Sequence, residues 1–99
     1  MANKYKHLQT PQAEFDFHGL GVLTHGQILD LADGFIYECL EHSFTFVSII
    51  TGIGIHSKNG PVVKPVIEDF LKNHPDVESF SEGKFTQGGQ GLFLVRLKK

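Results

Sequence analysis

The chain has 99 residues, which is enough for one domain with a single modest core and too few for two. Hydrophobic residues make up 40% of it and nine residues are phenylalanine, which excludes a wholly disordered chain. A formal net charge of -2 excludes a globally basic surface that would bind nucleic acid by charge alone, although it leaves room for a local basic patch.

Cysteine content and hydropathy bear on the compartment. Cys39 is the single cysteine, so an intrachain disulfide is excluded and a reducing compartment is indicated. Residues 1–12 are polar, and no later stretch has the length of a membrane span. We therefore expect a cytoplasmic monomer with no membrane partner.

The first element is a short strand. Residues 1–13 show no periodicity and predict a flexible N-terminal arm, which leaves residues 14–99 as the folded domain. From Glu14 to Gly19 acidic and aromatic residues alternate, with Phe15 and Phe17 on one face. This pattern predicts a half-buried strand that ends at Gly19.

The first helix is marked by a capping box, with Thr24 at the N-cap and Gln27 three residues later. Apolar residues follow at helical spacing and predict its buried face: Ile28, Leu31, Ala32, Phe35 and Cys39, widened by Ile36 and Leu40. Acidic residues between them predict a solvent-facing side: Asp30, Asp33, Glu38 and Glu41. Gly34 lowers helix propensity, and we expect it to mark close packing against a neighbouring element.

The later elements define the fold class. We expect a buried strand over 45–51, a helix over 65–73, an edge strand over 77–85 interrupted at Gly83, and an apolar strand over 92–97. Because the second and fourth strands are the most apolar, they belong in the middle of the sheet. The prediction is an α/β (α+β) two-layer sandwich, β-α-β-α-β-β. Its four-stranded mixed sheet has the order 1-2-4-3, with the fourth strand antiparallel to the rest and both helices on one face.

Two polar residues close the first strand and are candidates for catalysis. Asp16 and His18 are two apart, so on a strand they would point the same way. His18 would then act as general acid or base, and Asp16 would orient it or hold a metal-bound water. The alternative is that Asp16 caps a backbone group and His18 is an ordinary surface residue.

A glycine-rich loop follows the second strand and is the candidate binding site. In Thr51-Gly52-Ile53-Gly54 the amides of both glycines would cradle a phosphate, although a tight turn needs glycine regardless of any ligand. The polar residues beyond would contact phosphate and sugar, or else form a solvated loop: His56, Ser57, Lys58 and Lys64. If the first two strands are parallel neighbours, this loop meets Asp16 and His18 at one edge. The remaining histidines have no zinc-ligand spacing, so no metal-ligating residue is assigned.

Four motifs in this order resemble those of the Smr (small MutS-related) domain family. They are Phe15-Asp16-Phe17-His18-Gly19-Leu20, Thr51-Gly52-Ile53-Gly54 with the loop to Gly60, Lys64-Pro65 through Leu71, and Gly88-Gly89-Gln90-Gly91. The similarity runs from about Glu14 to Leu97. It departs from the family at Thr51, where many bacterial members have His, and at Ile53, where Lys, Arg or Trp is common.

The resemblance implies a fold like the C-terminal domain of bacterial translation initiation factor three. It also implies binding to DNA or RNA, with endonuclease activity on branched or nicked DNA or on RNA, including mRNA at stalled ribosomes, and with Mg²⁺ or Mn²⁺ as candidate cofactors. Two other hypotheses stay open. One is a non-catalytic nucleic-acid or ribosome-binding module, and the other is a protein-interaction domain that uses the acidic side of the first helix.

Overall fold

The computed structural model describes residues 10–52, 63–84 and 91–98. Within them the chain forms six elements: β1 (Ala13–Asp16), α1 (His25–Glu41), β2 (Phe46–Ile50), α2 (Val63–Asn73), β3 (Val77–Lys84) and β4 (Gly91–Leu97). The predicted order of elements is confirmed. No helix in these ranges has both the length and the apolar character needed to cross a bilayer.

The sheet has the predicted topology. Its strand order is β1-β2-β4-β3, and β1 runs parallel to β2. β4 is antiparallel to both of its neighbours. The two most apolar strands therefore occupy the centre, where both faces of a strand are covered, and all five residues of β2 are buried.

The start of α1 is the predicted capping box. The Thr24 hydroxyl accepts the amide hydrogen of Gln27 at 3.1 Å, and the Gln27 side chain accepts that of Thr24 at 2.9 Å. Two amides with no partner inside the helix are thereby satisfied, an arrangement that stabilises a helix by about 1 kcal/mol. The helix ends at Glu41, and Ser43 turns the chain with a positive φ of 61°.

The buried face of α1 is narrower than the sequence predicts. Its fully buried residues are Ile28, Ala32, Ile36 and Cys39. Leu31 is 36% exposed and Phe35 is half-buried, because these residues lie on the flank of the helix towards the edge strand β1. The expectation of close packing at Gly34 is wrong, since a Cβ built there would meet nothing within 4 Å.

The main core lies between the helices and one face of the sheet. Val47 and Ile49 of β2 pack with Phe93 and Val95 of β4 against buried residues of both helices, so α1 and α2 share that face. On the opposite face Phe46, Ser48 and Ile50 are also buried, so this row of β2 is covered although both helices pack on the other face.

The start of the sheet and the irregularity in β3 differ from the sequence prediction. The Gln12 amide donates to the carbonyl of Phe46 at 2.7 Å, and the Gln12 side chain accepts from the amides of Thr45 and Phe46. Attachment to the sheet therefore begins before Glu14. In β3 the ladder shifts register between Val77 and Ser79 and not at Gly83, where pairing with Leu92 is regular.

Candidate functional site

The carboxyl ends of β1 and β2 meet at one edge of the sheet. Asp16 is in register with Ile50, and the amide of Phe17 donates to the Ile50 carbonyl at 2.8 Å. Residues that follow these two strands therefore lie side by side, as the parallel pairing predicts. The first residues of β4 join them, since Leu92 is in register with Ile50.

His18 lies against the turn that follows β2. Its Cδ2 atom is 3.7 Å from the position that a Cβ on Gly52 would occupy. His18 is exposed, whereas Gly52 is buried beneath it. The structure thus brings the candidate proton-transfer group to the first glycine of the Thr51-Gly52 turn.

Asp16 holds the backbone that carries His18. Its Oδ1 atom accepts the amide hydrogen of His18 at 2.8 Å. β1 ends at Asp16, so the prediction that both residues lie on the strand is wrong. Asp16 instead caps a backbone group, because a short carboxylate readily accepts a hydrogen bond from the amide two residues later. This contact fixes the loop and does not reach the imidazole ring.

The amide of Gly52 is already hydrogen-bonded within the protein. The amides of Thr51 and Gly52 both donate to the carbonyl of Gly91, at 3.1 and 3.2 Å. Since an amide has one hydrogen, the predicted phosphate bond from Gly52 conflicts with this geometry. The φ of Gly52 is +76°, a backbone region that favours glycine, so this glycine serves the turn itself.

Thr51 also has a structural contact in place of the predicted ligand contact. It is 6% exposed, and its hydroxyl donates to the carbonyl of Gly52 at 3.1 Å. A buried hydroxyl that is already bonded to the neighbouring carbonyl stabilises the turn. Thr51 therefore stabilises the turn beside His18 and is too buried to contact a ligand with its side chain.

Gly91 is a site residue that the sequence interpretation missed. The predicted last strand begins at residue 92, but Gly91 is buried and already belongs to β4. A Cβ at Gly91 would collide with the carbonyl oxygen of Gly52. The glycine motif before the last strand could have indicated this role, because a glycine in a strand often marks a close approach of another backbone.

Lys64 is already engaged within the protein. Its ammonium group forms an ion pair with the carboxylate of Glu82, which lies on β3 at the far edge of the sheet. Three strand spacings separate β1 from β3, which is roughly 14 Å. The other predicted binding residues lie outside the described residues: Gly54, His56, Ser57 and Lys58.

The described residues at this edge do not form a metal site. Among the described residues, no three side chains of His, Cys, Asp or Glu come together in a way that could hold an ion. Near His18 the neighbouring carboxylate, Asp16, already accepts a backbone hydrogen bond. The described side chains therefore offer no site for Mg²⁺ or Mn²⁺ here.

The mixed 1-2-4-3 sheet, with two helices on one face and a glycine turn at the end of β2, defines a small α/β domain. The family model "Smr domain" matches residues 15–98, and the chain belongs to this family.

Related sequences include an Endonuclease MutS2 from Helicobacter pylori, which is 37% identical over 71 residues, or 72% of this chain. An uncharacterized protein of Treponema pallidum is 30% identical over 89 residues, or 90% of this chain. The matches cover 9% of the H. pylori protein and 43% of the T. pallidum protein, so both relatives are much longer than the shared region.

Two solved structures have the same fold. The Smr domain of Thermus thermophilus MutS2 superposes with a TM-score of 0.71 at 24% identity, covering 88% of this chain and 99% of that one. YdaL, a stand-alone small MutS-related protein from Escherichia coli, gives a TM-score of 0.75 at 24% identity, covering 99% of this chain and 74% of that one.

Proposed function

We propose that this chain binds nucleic acid and hydrolyses phosphodiester bonds, with His18 as the residue that moves the proton. The observation that carries the proposal is the position of the His18 ring, exposed and directly beside Gly52 at the edge where β1 and β2 end. Relationship to proteins named Endonuclease MutS2 supports the same chemistry.

The proposed reaction needs one proton removed and one proton supplied. A water oxygen attacks phosphorus, the bond from phosphorus to the leaving oxygen breaks, and the leaving oxygen is protonated. Imidazole is suited to both transfers, because its ordinary pKa lies near neutral pH. Asp16 contributes by holding the His18 backbone, and the missing Cβ at Gly52 leaves room beside the ring.

Binding has to overcome an overall negative charge. The formal net charge is -2, so phosphate contacts must come from local groups. We assign these contacts to Lys58, with His56 and Ser57, and to the Gly54 amide, because the Gly52 amide is occupied by Gly91. Lys64 contributes less, since Glu82 neutralises it.

The test is a cleavage panel with the purified chain. Supercoiled plasmid, branched DNA and structured RNA are each incubated in EDTA, in Mg²⁺ and in Mn²⁺. The proposal predicts cleavage of at least one substrate, lost in the His18→Ala variant. Nicked plasmid would assign DNA as a substrate, and RNA fragments would assign RNA.

A second candidate function is a non-catalytic nucleic-acid-binding module. The observation that favours it is that the Asp16 carboxylate bonds the His18 amide. Among the described residues no carboxylate is seen paired with the His18 ring, whereas a tuned general base would be expected to have such a partner. Saturable, salt-dependent binding of DNA or RNA with no cleavage in any arm of the panel would establish this alternative.

A further inference from the structure

A groove with an apolar floor runs between the exposed flank of α1 and the edge strand β1. It has a volume of about 510 Å³ and is lined by Phe15, Leu31, Gly34 and Phe35, with Tyr37 at its rim. The rings of Phe15 and Phe35 meet edge to face, with their centroids 5.6 Å apart, and form the floor. Leu31 and Tyr37 are 36% and 63% exposed, so apolar surface remains open to water here.

α1 leaves apolar surface open on this flank. Leu31 has the spacing of a core residue but is exposed, and Phe35 packs against the core while staying only partly buried. Gly34 keeps the groove open, since a Cβ there would meet no atom within 4 Å. Open apolar surface of this kind is typical of a site where another chain binds.

The groove opens beside a strand that has one unpaired edge. Within the described residues β1 pairs only with β2, so its other edge presents backbone donors and acceptors without ladder partners. An extended segment laid along this edge would pair with those groups over the four residues of β1. Alternate side chains of that segment would then point towards Phe15 and the groove.

The negative charge around the groove favours a basic ligand. Asp30 and Glu38 line it, and α1 also carries Asp33 and Glu41 but has no lysine or arginine. A nucleic acid is disfavoured here, because its phosphates would face these carboxylates. A second copy of the chain is disfavoured for the same reason, since pairing β1 with its own copy would bring two acidic helices to one interface.

We propose that this groove, formed by Phe15, Asp30, Leu31, Gly34, Phe35 and Glu38, binds an extended basic segment of a partner protein. The segment adds a strand to β1, places apolar side chains over Phe15 and Phe35, and pairs lysine or arginine with Asp30 and Glu38. The surface differs from the candidate nucleic-acid site around His18, so the domain can hold both ligands at once.

The test measures binding of a labelled ten-residue peptide to the full chain by fluorescence anisotropy. Its odd positions alternate valine and lysine and its even positions are threonine, so that valine and lysine lie on the same face of the strand and point towards the groove. We expect saturable binding that weakens as salt rises, and at least about tenfold weaker binding of the matched valine-glutamate peptide. Hydrogen exchange should show slower exchange of β1 amides in the presence of the lysine peptide.

The variants exploit the open space at Gly34. Gly34→Leu places an apolar side chain in the groove from a position where the added Cβ meets no other atom, and it should weaken peptide binding at least about tenfold. Gly26→Ala is the matched control, because a Cβ there also meets nothing within 4 Å and Gly26 does not line the groove. The double variant Asp30→Asn with Glu38→Gln should weaken binding, whereas Glu68→Gln with Glu78→Gln makes the same charge change elsewhere and should not.

These variants also separate this proposal from the nucleic-acid function. Gly34→Leu should leave nucleic-acid binding and cleavage unchanged, and His18→Ala should leave peptide binding unchanged. Failure of the lysine peptide to bind would overturn the proposal. Equal binding by wild type and Gly34→Leu, with circular dichroism showing both folded, would overturn it as well.

Discussion

Gly91 and Gly52 are in direct backbone contact, and this contact joins the start of β4 to the turn that follows β2. The Gly91 carbonyl accepts the amides of both Thr51 and Gly52, while the Gly52 carbonyl lies where a Cβ of residue 91 would be. The turn beside His18 is therefore fixed by a residue that lies 39 positions after Gly52 in the chain.

Gly91→Ala should destabilise the protein by about 1–3 kcal/mol, because the added methyl group can be accommodated only by moving backbone. Urea unfolding monitored by circular dichroism measures this. Gly34→Ala is the matched control and should be neutral or stabilising by up to about 1 kcal/mol, since its helix position is open. Equal unfolding midpoints for Gly91→Ala and wild type would contradict the close approach.

Asp16→Asn and Asp16→Ala should differ in their effect. Asparagine keeps an oxygen that accepts the His18 amide, whereas alanine removes the bond now seen at 2.8 Å. If Asp16 acts by holding the loop, Asn should retain most cleavage activity, and Ala should lose activity and about 0.5–1.5 kcal/mol of stability. Equal loss of activity in both variants would instead indicate that the negative charge itself is required.

Much of this domain follows from sequence pattern, and the exceptions share a cause. The strand order follows from the apolar ranking of the strands, and the start of α1 follows from Thr24 and Gln27, because both signals are local. The roles of Gly91 and Gly52 depend on a contact between distant segments that periodicity does not encode.

Contacts that spacing does not encode also account for the wrong predictions about Asp16 and about the buried face of α1. Spacing places Asp16 and His18 on one face only if the strand continues, and the Asp16 side chain ends it by bonding the next turn. Helical spacing predicts that both Leu31 and Ile36 are buried. Only Ile36 is, because Leu31 lies on the side of α1 towards β1, where the sheet ends.

Glu82→Gln should increase affinity for nucleic acid at low salt, because it releases the Lys64 ammonium from its ion pair. We expect a modest, few-fold gain that disappears as salt rises, since both partners are partly exposed. Filter binding across a salt series measures it. Glu78→Gln removes a charge from the same strand without touching Lys64, and an equal gain there would attribute the effect to net charge alone.

Cys39 should make the stability of the domain fall at alkaline pH. Burial, with a smaller effect of the Glu38 carboxylate, raises the pKa of this thiol from 9.0 to about 11. Between these values the unfolded chain loses the proton first, so the free energy of unfolding decreases as pH rises from about 9 to 11. Urea midpoints at pH 8 and pH 10 measure the decrease. It should be smaller in Cys39→Ala, and an equal decrease in both proteins would exclude Cys39 as the cause.

Single-turnover kinetics test most directly whether His18 transfers the proton in phosphodiester hydrolysis. Cleavage and binding of the same substrate are measured in parallel for wild type, His18→Ala and His42→Ala. His42 is the control because it follows α1 and stacks on Phe44, with ring centroids 5.3 Å apart, at the opposite end of the sheet. His18→Ala should cleave at least about 100-fold more slowly with binding nearly unchanged, while His42→Ala should cleave normally. Cleavage by His18→Ala at the wild-type rate would contradict it.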